Sequence, residues 1–130
     1  MAAIVVVLVA IGGVAIYYFT SQTSTRSTST LGISCLDSEP IECGHAYLQG
    51  ANLATLELAG ANFTGANLKN ADFTQADLEN ATFAHANLAN TNFSEADLTG
   101  ANLNGTNYDE AIFCDTIMPD GSANNLDCSQ

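Results

Sequence analysis

Positive charge is the scarcest property of this chain. Across 130 residues there are two basic side chains, Arg26 and Lys69, against 14 carboxylates, a formal net charge of -12. That balance repels phosphate backbones and anionic lipid headgroups, so it argues against nucleic-acid binding and suits a protein partner with a basic surface. Tryptophan is absent and proline occurs only at Pro40 and Pro119. The four cysteines, Cys35, Cys43, Cys114 and Cys128, form no CxxC pair, and only His45 and His85 could join them. This argues against a zinc site and against catalysis by an activated thiol. There is no Ser-His-Asp arrangement, no Gly-rich loop after a strand and no acid pair in an evident cleft. No catalytic residue, metal or cofactor is therefore expected. An even cysteine count flanking a small domain points to disulfides and an oxidising compartment.

What is present is unevenly placed. Residues 2–19 are almost wholly apolar and carry no charge. As a helix they would span about 27 Å, close to the roughly 30 Å hydrocarbon core of a bilayer. The expectation is a transmembrane helix over residues 1–20, an anchor or uncleaved signal with Tyr17, Tyr18 and Phe19 as an interfacial belt. A cleaved signal is disfavoured because no Lys or Arg precedes the run and no clear A-x-A site follows it. Arg26, just beyond, weakly favours a cytoplasmic domain by the positive-inside rule; the cysteines argue the other way and carry more weight. Residues 21–34, rich in Ser and Thr, read as a flexible tether. Residues 35–45 read as an N-terminal cap, and residues 114–130, with Pro119 and Gly121, as a C-terminal cap and tail.

Residues 46–113 between them return to one pattern every five residues, a period that suits neither a helix nor a strand. Large residues stand at Leu48, Leu53, Leu58, Phe63, Leu68, Phe73, Leu78, Phe83, Leu88, Phe93, Leu98, Leu103, Tyr108 and Phe113, fourteen units without an insertion. Two residues before each stands Ala, except at Leu56, Thr91 and Thr106, and the position between is Asn or Asp in ten of the fourteen. This pattern over Ala46 to Phe113 resembles the pentapeptide-repeat family, and the ending "FCDTIMPDGSANNLDC" is similar to that of cyanobacterial members. The resemblance implies an all-β fold, a right-handed quadrilateral β-helix with four units per coil and about three and a half coils here. Such a coil has room on each face for one large and one small inward side chain, which explains Leu or Phe with Ala. Asn and Asp bond to nearby backbone and suit corners. The period is thus core packing, and the phase extended backward puts Cys43 at a centre and Ile41 at a small-residue position.

With twenty residues per coil, Leu48, Leu68, Leu88 and Tyr108 share one inner column and Leu53, Phe73, Phe93 and Phe113 another. Cys43 and Cys114 then lie at opposite ends, too far apart for the roughly 7 Å limit of a disulfide. Local pairs, Cys35 with Cys43 and Cys114 with Cys128, are expected. Glu57, Asp77 and Asp97 should stack on one outer face with Glu79 beside them. That acidic side is the first candidate contact surface; Asp109, Glu110 and Asp115 of the last coil are the second. His45 and His85, two coils apart at roughly 10 Å, are too distant for easy metal sharing. The four Asn-x-Ser/Thr matches at Asn62, Asn80, Asn92 and Asn104 follow from the repeat itself.

The expected function is a non-catalytic, membrane-tethered interaction or scaffold module exposed outside the cytoplasm. The resemblance to exported cyanobacterial proteins implies the periplasm or thylakoid lumen. An end-to-end homodimer is a further partner the open coils allow. The alternative, on the cytoplasmic face, is a DNA mimic that modulates a DNA-binding enzyme such as gyrase, as some family members do.

Overall fold

The structure, a computed structural model, describes residues 5–11, 14–20, 33–125 and 128. From residue 41 onward the chain winds as a square β-solenoid. Parallel bridges join residues twenty apart in an unbroken series from Glu42↔Asn62 to Asp97↔Ile117. Residues 41–45, 61–65, 81–85 and 101–105 thus make the first face, and the second, third and fourth follow at five-residue steps. The ladder takes in one unit before Ala46, centred on Cys43, and one after Phe113, in which Thr116 stands at the small position. Four coils result, rising about 15 Å at roughly 4.8 Å per step.

Each coil holds to the next by backbone. The amide of Phe63 donates to Thr82 at 2.8 Å and that of Phe83 to Asn102 at 2.8 Å, while Asn62 donates back to Ile41 at 2.9 Å. Corners close by a turn, as where Ala66 donates to Phe63 at 3.0 Å. Its third residue lies in the left-handed region, and so does every fifth residue from His45 to Asp115. Positive φ at that place is the mark of a type II turn and favours Gly or Asn. Asn70, Asn80 and Asn90 stand there, but most Asn and Asp stand at mid-face, one residue ahead of the large centre. Each reaches forward to the amide two residues on: Asn62 Oδ1 accepts from Thr64 at 3.0 Å, Asp72 from Thr74 at 2.9 Å and Asn92 from Ser94 at 3.0 Å. The residue thus serves the corner without occupying it.

Inside, the large centres from Leu53 to Leu98 are buried at 0–1% exposure. Phe63 stacks on Phe83 at 5.2 Å, and on the facing wall Phe73 stacks on Phe93 at 5.2 Å and Phe93 on Phe113 at 5.4 Å. Across the core the two columns meet edge to face, as Phe73 does Phe83 at 5.8 Å. Where Thr replaces Ala at a buried small position, its hydroxyl finds a carbonyl: Thr91 donates to Leu68 at 3.0 Å and Thr116 to Phe93 at 2.7 Å. That removes the cost of burying a polar group.

Three corners, at Gly65, Gly100 and Gly105, need glycine for a second reason. The His45 ring lies across Gly65, where a Cβ would come within 2.5 Å of Nδ1, and φ is +66°. Gly60, at φ +71°, has nothing within 4 Å. Gly60→Ala should cost about 1 kcal/mol for the backbone alone. Gly65→Ala should cost visibly more, because the ring must leave. Paired thermal melts check this; equal losses would show that the His45 contact is not tight.

Both ends are stapled. A 3-10 turn, Ser34–Asp37, buries Leu36 against the first coil, and Cys35 bonds to Cys43. At the other end Cys114 bonds to Cys128. After Phe113 the chain forms a short hairpin of β3 (Thr116–Ile117) and β4 (Ala123–Asn124).

The N-terminal region departs from expectation. Two strands, β1 (Val5–Ile11) and β2 (Val14–Thr20), pair antiparallel with Val5 opposite Thr20 and Ile11 opposite Val14. The expected transmembrane helix is not formed, and among the described residues no helix is long and apolar enough to cross a membrane. Seven Val and Ile residues fall within the two strands, and Gly12-Gly13 stands between them in the sequence. β-branched runs around a Gly pair favour a hairpin; hydropathy and length alone do not register this. The tether expected over residues 21–34 lies outside the described residues apart from its last two, as does Arg26.

Candidate interaction surface

The carboxylates of the solenoid are not spread evenly over its four sides. The fourth face carries Glu57, Asp77, Glu79 and Asp97, with Asp120 at its far end, and the third carries Asp72, Glu95 and Asp115. The second has Asp109 and Glu110 beside Lys69, and the first has Glu42 with His45 and His85. Two adjoining sides are therefore strongly acidic, and the other two are nearly balanced.

The register that stacks the Leu and Phe centres also builds the acidic column. Glu57 bridges to Asp77 and Asp77 to Asp97, each in parallel, with Ile117 closing the column. Asp77 Oδ1 accepts the Glu79 amide at 3.1 Å. Asp97 Oδ1 accepts both the amide and the hydroxyl of Thr99, at 2.9 and 2.6 Å. Turn geometry thus occupies one oxygen of each Asp. Glu79 is exposed and receives the Asn80 amide at 3.3 Å. Since Asn supplies the same acceptor, the turns do not require the charge. Asp97→Asn should leave stability within about 0.5 kcal/mol, while Asp97→Ala should lose about 1 kcal/mol with its hydrogen bonds. Thermal unfolding of the pair checks this, and a large loss in the Asn variant would show that the charge itself is structural.

The second group lies at the far end. Asp109 and Glu110 sit at the corner after Tyr108, exposed, and Glu110 is left-handed at φ 59°. Asp115 occupies the next corner beside the Cys114–Cys128 disulfide. The two cysteine sulfurs and Asp115 come together there, but the disulfide takes up both sulfurs. The two groups are thus separate, one along a side and one around an end. Asp120, not singled out by sequence, joins the end: the Ser122 hydroxyl and amide donate to it at 2.6 and 2.9 Å and hold its carboxyl below the ordinary value. Support from that contact is present at neutral pH and lost as pH falls through the lowered value.

A cleft of about 710 Å³ opens at the same end, over Leu103, Tyr108, Phe113 and Met118. Sequence reading did not find it. The signal was available in "TIM" at residues 116–118, which keeps the repeat's phase before Pro119 interrupts it.

Comparison with known proteins agrees with this geometry. No curated protein sequence matches the chain. A pentapeptide repeat protein of the cyanobacterium Cyanothece 51142, Rfr23, is 34% identical with a TM-score of 0.53, over 54% of this chain and 48% of that one. A pentapeptide repeat protein of the Arabidopsis thaliana thylakoid lumen is 29% identical with a TM-score of 0.41, over 64% and 65%. One from Nostoc PCC 7120 is 28% identical with a TM-score of 0.39, over 58% and 66%. The chain thus spans about half to two thirds of the length of these relatives. The model of pentapeptide repeats matches residues 42–83 and 76–113, more than half of the chain. With the five-residue phase, the twenty-residue bridges and that match in agreement, the chain belongs to the pentapeptide repeat family, whose fold is a right-handed β-helix.

Proposed function

We propose that this chain is a non-catalytic interaction module that presents its acidic third and fourth faces to a protein with a basic surface. The observation that carries this is the one-sided charge: eight carboxylates on two adjoining faces against three, with Lys69, on the others. A purely structural solenoid could use Asn at Asp72, Asp77 and Asp97, as it does at Asn62, Asn67 and Asn87. A core filled by Phe, Leu and Ala leaves no interior site for chemistry. We place the solenoid outside the cytoplasm, in the periplasm or thylakoid lumen, because disulfides persist in oxidising compartments. The apolar residues 1–20 are proposed to hold it at a membrane, on composition alone. The DNA-mimic alternative is the weaker reading: the coils rise about 15 Å, under half of a 34 Å duplex turn.

The test compares the wild type with a fourfold variant, Glu57→Gln, Asp77→Asn, Glu79→Gln and Asp97→Asn, by cross-linking in the native membrane fraction. A partner captured by the wild type and lost from the equally folded variant, with thiols that resist alkylation until reduced, is the expected result. Equal capture by both would overturn the surface. Thiols that label at once would overturn the compartment.

A further inference from the structure

The last coil ends in an open strand edge above an apolar floor. In the coils beneath, the first face repeats one bonding pattern. Ala61 C=O accepts from Thr82 at 2.9 Å and Phe63 N–H donates to it at 2.8 Å; Ala81 and Phe83 do the same with Asn102. The register would give Ala101 C=O and Leu103 N–H the corresponding groups of Ser122. Both are engaged elsewhere: the Ser122 amide donates to Asp120 at 2.9 Å and its carbonyl accepts from Met118 at 2.8 Å. The β3–β4 hairpin thereby withholds the strand that would cover the coil, and Ala101 C=O and Leu103 N–H have no partner among the described residues. Leu103 is only partly buried where every centre from Leu53 to Leu98 is fully buried, and Tyr108 is 53% exposed.

We infer that Ala101–Leu103 is a docking edge for an extended segment of a partner protein, with an apolar side chain in the cleft and basic residues flanking it. This deepens the interaction-module reading, on which it rests, by naming a second site and the form of its ligand. An added strand would bond to Ala101 C=O and Leu103 N–H, as residues 82 and 102 do below, the mode by which exposed sheet edges take peptides. The cleft over Leu103, Phe113 and Met118 supplies the pocket. Charge selects the flanks. Glu110, Asp115 and Asp120 stand at three corners of this end and Gly105 at the fourth, whereas the coil beneath has His85, Asn90, Glu95 and Gly100. The same carboxylate ring sets two copies of this end against each other, so a second copy is the poorer occupant.

The test uses the full chain, ¹⁵N-labelled in mild detergent at low salt, titrated with the blocked pentapeptide Lys-Val-Leu-Val-Lys and with Glu-Val-Leu-Val-Glu as control. The expected result is a shifted Leu103 amide whose hydrogen exchange slows tenfold or more with the lysine peptide. Affinity for the glutamate peptide should be at least tenfold weaker. The double variant Glu110→Gln, Asp115→Asn, with an otherwise unchanged spectrum, should lose most of that preference. No change at Leu103 with either peptide, or equal binding of both, overturns the proposal. Leu103 protection that appears without peptide and grows with protein concentration also overturns it, in favour of a second copy. None of these outcomes depends on Glu57, Asp77, Glu79 or Asp97, so they are separable from the fourfold-variant experiment.

Discussion

Phe83→Ala should remove about 4 kcal/mol of stability, among the largest effects expected of a single truncation in the solenoid. Phe83 is fully buried, stacks on Phe63 at 5.2 Å, and meets Phe73 and Phe93 edge to face at 5.8 and 5.9 Å. Truncation therefore loses transfer energy and ring contacts together and opens a void between two backbone walls that the coil-to-coil hydrogen bonds hold in place. A small domain has about 5–15 kcal/mol in total, so this is a large share of it. Phe113→Ala, at the open end with one stacking partner and 8% exposure, should cost distinctly less. Urea unfolding of both variants checks the order. Equal midpoints would mean that the cost is set by ring size alone and not by place in the stack.

Reducing both disulfides should have the second large effect. The Cys35–Cys43 bond closes eight residues and Cys114–Cys128 closes fourteen. In the chain-entropy account these are worth about 2.5 and about 3 kcal/mol. Together they should move the melting temperature down by about 20 °C or more. The effect should begin at the ends. Without the first bond, Leu36 loses its hold over the first coil, and repeat arrays depend on capped termini. Melting with and without reductant measures it, and the Cys35→Ser, Cys43→Ser variant isolates the first bond. An unchanged melting temperature would show that coil stacking alone supports the ends.

How much of this was legible depended on whether the information was periodic. The five-residue phase places each Leu and Phe in its column, because one inward centre per face is the only arrangement that buries them all. The same phase separates Cys43 from Cys114, and their partners in the structure are the local ones. The acidic column follows too, since residues 57, 77 and 97 share a face once twenty residues make a coil. Non-periodic features were harder. The pairing of residues 5–11 with 14–20 is hidden because hydropathy weighs Val and Leu alike, whereas their backbone preferences differ. Asn and Asp serve the corners in two ways that look the same in sequence, one by standing at the turn as Asn70, Asn80 and Asn90 do, the other by bonding two residues ahead from mid-face. The cleft was invisible for another reason: it exists because Ser122 bonds to Asp120 and Met118 rather than to the coil, a competition between hydrogen bonds that spacing does not record.

The square cross-section makes chain length a means of steering charge. Removing twenty residues would take out one coil and leave every later side chain on its own face. Removing five would keep each Ala and each large centre in an inward position, yet swing everything downstream by a quarter turn. A loss between Asp77 and Asp97 would set Asp97 over Asp72 instead of Asp77, and the acidic column would step onto the next face. A core tolerant of five-residue changes is thus joined to a surface that tolerates only changes of twenty, so gains and losses of single units can redraw what this solenoid presents without disturbing how it folds.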